Sequence, residues 1–395
     1  MRIASRIGQL TGEGAMDVYA RACELERAGR SIIHLELGEP DFHPAPEVVD
    51  AAVAALRNGR DRYCAPAGIP ELRAALAEVL RRTRGLACQP ENILVAPGCK
   101  LALSMAMTAL IEPGDEVLCP EPSFPLYPSL TRGLGARPVC YRLLEEHAFQ
   151  PDLAEVARLI SRRTRVLILC SPNNPTGTVF SRATLEGLAA LARQHDLAVI
   201  ADEVYARIVY DGSFLSIATL PGMAERTVVI DGFSKSFAMT GWRLGYAVAP
   251  PPMIAALEML VVNSFTCAPE FIQVAAVEAL RDLAGHTSAM VAEYARRRQL
   301  FAGGLARIPG LRCSLPQGAF YAWARVVHPG LAAAEFQRHL LERAGVAAIP
   351  GAAFGPSGAE FLRFSFAGAS AELSEALDRI RATMEIGPRA ISSVG

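Results

Sequence analysis

Residues 166–177 of the sequence read VLILCSPNNPTG, and this stretch gives the clearest signal of the fold. Five apolar residues run without a polar interruption and are followed by a loop of serine, proline, asparagine, threonine and glycine. A continuous apolar run is typical of a strand buried on both faces of a parallel sheet, and the turn-forming residues indicate where that strand ends. We therefore predict a buried strand over residues 166–170 and a loop over residues 171–177.

Further apolar runs lie on either side of this stretch, and helical patterns separate them. The runs are NILVA (92–96), EVLC (116–119), AVIA (198–201), TVVI (227–230) and GYAVA (245–249). The alternation of strands and helices predicts an α/β fold. We expect a large domain over residues 46–285, in which a mostly parallel sheet is flanked by helices.

The pattern changes after about residue 285. An arginine-rich helical segment over residues 289–308 precedes two strand-like pieces, GAFYAWARV (318–326) and FLRFSFA (361–367). This mixture predicts a smaller α+β domain over residues 286–395. Residues 1–45, which contain the strand-like HLELGEPDF (34–42), are expected to pack with that smaller domain.

The composition favours an enzyme that acts on small molecules. The 395 residues are 51% hydrophobic and 20% charged, which suits a large buried core, and the net charge of −1 argues against nucleic acid as a partner. The longest apolar stretch, residues 101–111, is about half of the roughly 20 residues that a membrane helix needs, and the N-terminus lacks the apolar stretch of a signal peptide. The nine cysteines include no CxxC pair, and the seven histidines show no metal-binding spacing. We expect a cytoplasmic protein with reduced thiols, no bound metal and no membrane partner.

Lysine is rare in this chain. The 39 basic residues include only two lysines, Lys100 and Lys235. Arginine elsewhere supplies the positive charge of the surface, so a retained lysine is a candidate for chemistry that a guanidinium cannot perform. The main such reaction is imine formation, because arginine stays protonated and is not a usable amine nucleophile.

Four of the predicted strands end in loops rich in polar residues, glycine or proline. These loops are PGCK (97–100), SPNNPTG (171–177), DEVY (202–205) and DGFSKS (231–236). Ligands of open α/β sheets bind outside the carboxyl ends of the strands. We therefore expect the four loops to meet in one cleft.

The residues expected in this cleft suit an aromatic cofactor that carries a phosphate. Amides at a helix N-terminus bind phosphate, and an arginine adds a charge-assisted contact. A lysine forms an imine, a carboxylate holds a pyridine nitrogen protonated, an amide and a phenol bond a ring oxygen, and an aromatic side chain stacks on the ring. The candidates for the phosphate are Gly98, Cys99, Lys100 and Arg243. The candidate for the imine is Lys235, and that for the ring nitrogen is Asp202. Asn174 and Tyr205 are the candidates for the ring oxygen, and Phe124 is the candidate for stacking.

Four motifs carry a resemblance to a known family. SPNNPTG (171–177), ADEVY (201–205), SKSFAMTGWRLGY (234–246) and RYCAPAGIPELRAAL (62–76) together look like the class I/II pyridoxal-phosphate-dependent aminotransferases of the aspartate aminotransferase superfamily, which have PLP fold type I. The similarity runs from LELGEPDF (35–42) to FLRFSFA (361–367), which is nearly the whole chain. The order and spacing of the motifs are more specific than any one of them.

The resemblance implies how pyridoxal 5'-phosphate would be held. Lys235 would be the Schiff-base lysine and would also move the proton during the reaction. Asp202 would pair with the pyridine nitrogen, and Asn174 and Tyr205 would bond the ring oxygen. The phosphate would be held by Ser234, Arg243 and the loop amides at Gly98, Cys99 and Lys100. Some members have a serine three residues before the lysine, and this chain has Gly232 there, so one phosphate contact is absent.

The resemblance also implies a substrate site and an assembly. Arg363 would bind the α-carboxylate of the substrate, with Asn174 beside it, and Gly38 would close over it. Tyr63 would reach the phosphate of the neighbouring subunit, which implies a homodimer with shared active sites. No arginine dedicated to a side-chain carboxylate of the substrate is identified.

The expected activity is transfer of an amino group from an L-amino acid to a 2-oxo acid such as 2-oxoglutarate, by a ping-pong mechanism. An alternative on the same scaffold is a carbon–sulfur β-lyase, which breaks a different bond after the α-proton leaves. A third class, the cofactor-binding transcription regulators, resembles this scaffold with a DNA-binding module added at the N-terminus. The segment before residue 35 is short and not basic, which disfavours that class.

Overall fold

A computed structural model describes residues 1–281 and 285–391 of the chain, with side chains in the last helix up to residue 385. The strands are β1 (Ile33–His34), β2 (Ile93–Ala96), β3 (Glu116–Glu121), β4 (Arg137–Arg142), β5 (Thr164–Cys170), β6 (Ala198–Asp202), β7 (Thr227–Gly232), β8 (Gly245–Val248), β9 (Leu311–Cys313), β10 (Tyr321–Val326), β11 (Val346–Ala347), β12 (Ile349–Pro350) and β13 (Phe361–Ser365). The helices are α1 (Gly14–Arg27), α2 (Pro46–Arg57), α3 (Pro70–Arg84), α4 (Cys99–Leu110), α5 (Leu126–Gly133), α6 (Leu153–Leu159), α7 (Arg182–Gln194), α8 (Phe233–Ser236), α9 (Pro251–Val262), α10 (Glu270–Arg281), α11 (His286–Leu305), α12 (Ala333–His339) and α13 (Ser370–Ile391).

Strands β2 to β8 form a seven-stranded sheet in the order β2-β8-β7-β6-β5-β3-β4. All neighbouring strands are parallel except β8, which is antiparallel to both β2 and β7. The predicted α/β class with a mostly parallel sheet is confirmed. The apolar run at residues 245–249 predicted a strand there but not its direction. The connection over residues 233–244 contains only the short helix α8 and a 3-10 turn, so the chain reverses and pairs beside β7.

The large sheet is covered on both faces, which explains its continuous apolar strands. In β5, Val166 and Ile168 pack into a cluster that includes α4 and α9, whereas Leu167 and Leu169 pack into a cluster that includes α3, α7 and α10. Successive side chains of a strand point to opposite faces, so each residue of the run has an apolar partner. Full burial of one such side chain contributes roughly 1.5–3 kcal/mol.

The C-terminal part forms a separate antiparallel sheet. Its four strands have the order β12-β13-β10-β9, and they pack with α11 in a third cluster that includes Phe301, Phe320 and Phe364. β1 pairs in parallel with β11, which ties the N-terminal segment to this part of the chain. The predicted strand in HLELGEPDF is only two residues long. Leu35 bonds Ala347 through its amide and Ser365 through its carbonyl, so the segment passes from one strand partner to another.

We propose the domain division that the sequence predicts, with residues 1–45 and 286–395 as the small domain and 46–285 as the large one. The helix α11 begins at His286, and residues 282–284 beside the boundary lie outside the described residues.

Within residues 1–281 and 285–391, none of the helices combines the length and the apolar character that membrane crossing requires. The nine cysteines are free thiols. Burial raises the pKa of Cys170 to about 12, and it raises the pKa of Cys119 well above its ordinary value, so these thiols stay protonated.

Candidate active site

A cavity of about 420 Å³ opens where β2, β5, β6 and β7 end. The four loops singled out from the sequence meet there. Of the sequence-predicted site residues, those that line the cavity are Gly38, Cys99, Lys100, Phe124, Asn174, Asp202, Tyr205, Ser234, Lys235, Arg243 and Arg363. Residues from the N-terminal segment, the large sheet and the C-terminal sheet therefore share one site.

Lys235 lies at the inner end of the cavity, on the short helix α8 that follows β7. Its Nζ donates a hydrogen bond to the backbone carbonyl of Gly38 at 2.6 Å. Burial lowers the pKa of this amine to about 8, because a charged ammonium loses hydration there, although Cys99 and Glu39 oppose the shift. At pH 7, roughly one tenth of Lys235 is therefore neutral, and thus nucleophilic, compared with far less than one hundredth of an ordinary lysine.

Asp202 is the last residue of β6 and is buried. Its Oδ2 accepts a hydrogen bond from the Tyr127 hydroxyl at 2.7 Å, and its Oδ1 accepts one from the Val204 amide at 3.3 Å. Burial raises the pKa of Asp202 to about 6, and these two bonds limit the rise. The group is therefore mostly a carboxylate at neutral pH, which is the form that can bind a protonated ring nitrogen.

The start of α4 forms a cradle for an anion. Gly98 precedes this helix with φ of 90°, and a Cβ there would lie 2.4 Å from Nη2 of Arg243. Gly98 does not itself line the cavity, but it allows Arg243 to approach the helix start. The first amides of a helix have no partner within the helix, so those of Cys99 and Lys100 are available to a phosphate together with the guanidinium. The Nη1 of Arg243 is held by the Thr240 carbonyl at 2.9 Å.

Arg363 forms the opposite side of the cavity and is only 4% exposed. Its Nη1 donates to Oδ1 of Asn174 at 3.1 Å, and its Nη2 donates to the backbone carbonyl of Glu36. Among the described residues, no partner is found for the buried Nε of Arg363. The structure thus brings two of the three predicted substrate-binding residues, Asn174 and Arg363, into direct contact, and both line the cavity together with the third, Gly38.

Two tyrosines at this site were missed by the sequence reasoning. The hydroxyl of Tyr321 lies 2.7 Å from that of Tyr205, and its ring lies 4.4 Å from the guanidinium carbon of Arg363. A Cβ on Gly38 would lie 1.9 Å from the Tyr321 hydroxyl, which explains the glycine. The sequence GAFYAWARV predicted the strand β10, but it did not show which of its aromatic residues faces the cavity. Tyr127, the partner of Asp202, had no signal beyond its position three residues after Phe124, and it lies in the first turn of α5.

The outer wall of the cavity is built by α4, the Phe124 loop and the N-terminal segment. Nζ of Lys100 pairs with the Glu13 carboxylate and lies 5.5 Å from the centre of the Phe124 ring. The side chain of Lys100 is 51% exposed, in contrast to Lys235. The sequence reasoning did not identify Glu13 or its neighbour Met16, because it assigned the N-terminal segment only to packing.

Tyr63 does not line this cavity. Its side chain is 84% exposed in the single chain. The prediction that it serves the site of a neighbouring subunit therefore stays a prediction.

The family of the chain follows from comparison with known proteins. The family described as aminotransferase class I and II matches residues 30–380. The chain belongs to this family. Members of the family use pyridoxal 5'-phosphate, and the protein is a pyridoxal-phosphate-dependent transaminase.

Its relatives are transaminases with different substrates in their names. An arginine–pyruvate transaminase of Pseudomonas aeruginosa is 40% identical over 382 residues, which cover 96% of this chain and 97% of the relative. An aspartate/prephenate aminotransferase of Thermus thermophilus is 40% identical over 385 residues, which cover 95% of this chain and 97% of the relative. The solved structure of the T. thermophilus aspartate aminotransferase with maleate has a TM-score of 0.92 and 38% identity, and the match covers 97% of this chain and 100% of that one. These names favour transamination over the β-lyase alternative.

The residues of the aminotransferase cavity fit pyridoxal phosphate. An amine of lowered pKa, a buried carboxylate, an anion cradle and an aromatic ring are all present, at Lys235, Asp202, Arg243 and Phe124 respectively. The guanidinium of Arg363 lines the same cavity and is a group that can bind a carboxylate.

Proposed function

We propose that the protein transfers the amino group of an L-amino acid to a dicarboxylic 2-oxo acid, with 2-oxoglutarate as the acceptor, by a ping-pong mechanism in one cavity. The observation that carries this proposal is the position of Lys235. Its amine has a pKa lowered to about 8 and lies in the same cavity as Asp202 and Arg363. A proton-transfer group works best when its pKa is close to the operating pH.

The cofactor would be held by residues from the four loops. Bound pyridoxal phosphate supplies an aldehyde carbon for linkage to amines and a ring that withdraws electrons. Asp202 would hold the proton on the ring nitrogen, and Tyr205 and Asn174 would donate to the ring oxygen. Phe124 would stack on the ring. Phosphate binding is assigned to Arg243, Ser234 and the backbone of Gly98, Cys99 and Lys100.

The chain's own residues would then position the substrate and move its proton. Arg363 would bind the α-carboxylate through its fork, with Asn174 fixing the orientation of the guanidinium, and Gly38 would cover the substrate. Held in this way, the substrate Cα would lie within reach of Lys235 Nζ. The neutral amine would remove the proton at Cα, which is the step that the lowered pKa favours.

The choice of a dicarboxylic acceptor is supported by Lys100. An acceptor with two carboxylates needs a second cation besides Arg363. Lys100 lines the outer wall of the cavity and can supply that cation. Its present partner, Glu13, is on the N-terminal segment and is partly exposed, so an entering carboxylate can replace it at small cost. The T. thermophilus relative was solved with maleate, which is itself a dicarboxylate.

The test of the activity is a panel of the common amino acids. Purified protein loaded with pyridoxal phosphate is mixed with each amino acid, and the change in cofactor absorbance is followed. Donors that react are then supplied with 2-oxoglutarate, and glutamate is measured. We expect glutamate from at least one donor. Absence of an absorbance change with every donor would contradict the proposal.

We also propose a homodimer in the cytoplasm with shared sites. Exposed apolar residues on α2 and α9, among them Val53, Leu56 and Met259, support an interface that includes these helices, and the exposed Tyr63 supports a contact with a neighbouring subunit. The nine free thiols suit a reducing compartment.

The shared site can be tested by mixing two inactive variants, Lys235→Ala and Tyr63→Ala, after denaturation and refolding together. A mixed dimer would have one intact site, so activity should reappear in the mixture and not in either variant alone. Lack of recovery in a mixture that forms dimers would contradict shared sites.

A further inference from the structure

Behind the floor of the cavity lies a buried charged cluster that the proposed function does not use. Its centre is Arg84, the last residue of α3, whose side chain is 4% exposed. Arg84 Nη1 donates to Oε2 of Glu203 at 3.1 Å, and Nη2 donates to Oδ2 of Asp231. One guanidinium therefore joins two carboxylates that come from different strands.

The two carboxylates are attached to the loops that carry the reactive groups. Glu203 directly follows Asp202 at the end of β6, and Asp231 lies on β7, four residues before Lys235. The strands are neighbours, with Asp202 paired to Ile230 and the Glu203 amide bonded to the Ile230 carbonyl at 2.9 Å. Arg84 thus bridges the ends of β6 and β7 on the side away from the cavity.

The remaining oxygens of both carboxylates also have partners. Oε1 of Glu203 accepts from the Ser216 hydroxyl. Oδ1 of Asp231 accepts from the Gly232 amide at 2.6 Å, and Oδ2 also accepts from the Tyr246 hydroxyl at 2.7 Å. Tyr246 is on β8, so the cluster connects three adjacent strands with α3. A fully bonded buried network of this kind fixes backbone positions more strongly than one ion pair does.

The charges around Arg84 explain why it is an arginine. Burial raises the pKa of Glu203 to about 7, while Arg84 and the Ser216 hydroxyl oppose the rise. The half-buried guanidinium of Arg207 lies near Arg84 and stacks 5.3 Å from the Phe237 ring. Two cations thus face two carboxylates. A lysine in place of Arg84 would keep the charge but could not present two parallel donors in a fixed plane.

We propose that Arg84 is a positioning residue, which clamps the Asp202 loop to the Lys235 loop and so sets the spacing of the two groups that act on the cofactor. This inference rests on the roles proposed above for Asp202 and Lys235. Arg84, Glu203 and Asp231 do not line the cavity, so they act through the loops and not through contact with a ligand. The rival explanation is that the cluster only stabilises the fold.

The test separates positioning from stability by removing the charge together with its partners. Arg84→Met alone leaves two buried carboxylates unpaired and can destabilise the protein for that reason. The triple variant Arg84→Met/Glu203→Gln/Asp231→Asn removes all three charges at similar volume. The matched control is Arg82→Met on the same helix, whose side chain is 61% exposed and lies 3.9 Å from Glu78.

Three quantities are measured for each variant. These are the unfolding midpoint of the cofactor-free protein, the dissociation constant of pyridoxal phosphate, and the apparent pKa of the visible band of the bound cofactor. For the triple variant we expect an unfolding midpoint close to that of the unsubstituted protein, with cofactor binding weakened about tenfold or more and a shifted band pKa. Arg84→Lys should bind the cofactor more tightly than the triple variant and less tightly than the unsubstituted protein. Arg82→Met should leave the unfolding midpoint, the dissociation constant and the band pKa unchanged.

A triple variant that folds and keeps both the cofactor affinity and the band pKa would overturn the proposal. Failure of the proposed function has a different signature. In that case the unsubstituted protein binds pyridoxal phosphate but reacts with no amino acid. The cofactor affinities of the variants would still show whether Arg84 positions the two loops.

Discussion

The two lysines of this chain lie in the same cavity, at its inner and outer ends, and their surroundings differ. Lys235 donates to the Gly38 carbonyl, and burial lowers the pKa of its amine to about 8. Lys100 is half exposed, pairs with the Glu13 carboxylate and lies near the Phe124 ring. The inner environment favours a neutral nucleophile, whereas the outer one leaves the amine in contact with solvent and with a carboxylate. Environment, not residue type, therefore separates the reactive lysine from the one proposed to select substrates.

The largest expected effect comes from removing each lysine in turn. Lys235→Ala should lower the rate of transamination by about a thousandfold or more, because it removes both the cofactor linkage and the proton-transfer group. It should also abolish the visible absorbance of the lysine-bound cofactor, whereas Lys100→Ala should keep that absorbance. If the absorbance were lost in the Lys100 variant and kept in the Lys235 variant, the two assignments would be reversed.

A second substitution tests whether Arg363 recognises the α-carboxylate of the substrate. Arg363→Lys keeps the charge and loses the fork, so we expect kcat/KM to fall roughly 100-fold for every donor, with the cofactor still bound. The matched control is Arg325→Lys in the neighbouring strand β10, which pairs with Glu145 and Glu360 and should have little effect. Equal losses in the two variants would mean that the effect is structural.

The pH dependence of cofactor uptake sharpens the contrast between the lysines. Burial lowers the pKa of Lys235 to about 8, so the neutral fraction of the amine rises with pH, reaches one half near that value and is nearly complete about one unit above it. Between about pH 6 and 7, the rate at which cofactor-free protein forms the visible band should rise about tenfold, and it should level off above about pH 9. A rate that continues to rise to about pH 10 would show that this amine titrates like an ordinary exposed lysine.

The smallest effect is expected at the outer end. Lys100→Met should lower kcat/KM for 2-oxoglutarate by roughly fivefold and leave that for pyruvate unchanged, because an exposed charge contributes little and only one of these acids has a second carboxylate. Lys100→Arg should keep the preference. If kcat/KM of the Lys100→Met variant fell equally for 2-oxoglutarate and pyruvate, a role of Lys100 in substrate selection would be contradicted.

The architecture and the convergence of loops could be predicted because they follow from short-range patterns. The run at residues 166–170 is buried on both faces, and a rule about strand ends places Asn174, Asp202 and Lys235 together. The resemblance added Arg363, which is far away in sequence and which periodicity could not assign. The identity of the family and its cofactor follow from the same motifs.

The missed features depend on tertiary contacts. Tyr127 bonds Asp202, and Tyr321 bonds Tyr205, only because elements distant in sequence come together in the fold. Arg84 looked like one more surface arginine at a helix end, and nothing local indicated its two buried partners. The direction of β8 depends on a connection too short for a crossover, which a strand pattern does not show.

The reversal of the chain at β8 also affects how easily the loop that carries Lys235 can open. Lys235 lies between β7 and β8, which are hydrogen-bonded to each other inside the large sheet, so releasing its loop requires breaking central strands. Glu13 lies on a segment that is mostly exposed, where the Thr11 amide bonds Ser129 at 2.8 Å. Amide protons beside Lys235 should therefore exchange with solvent only in global unfolding, while those of the N-terminal segment exchange through fraying. The cavity would then admit substrates from its N-terminal side while its floor stays closed.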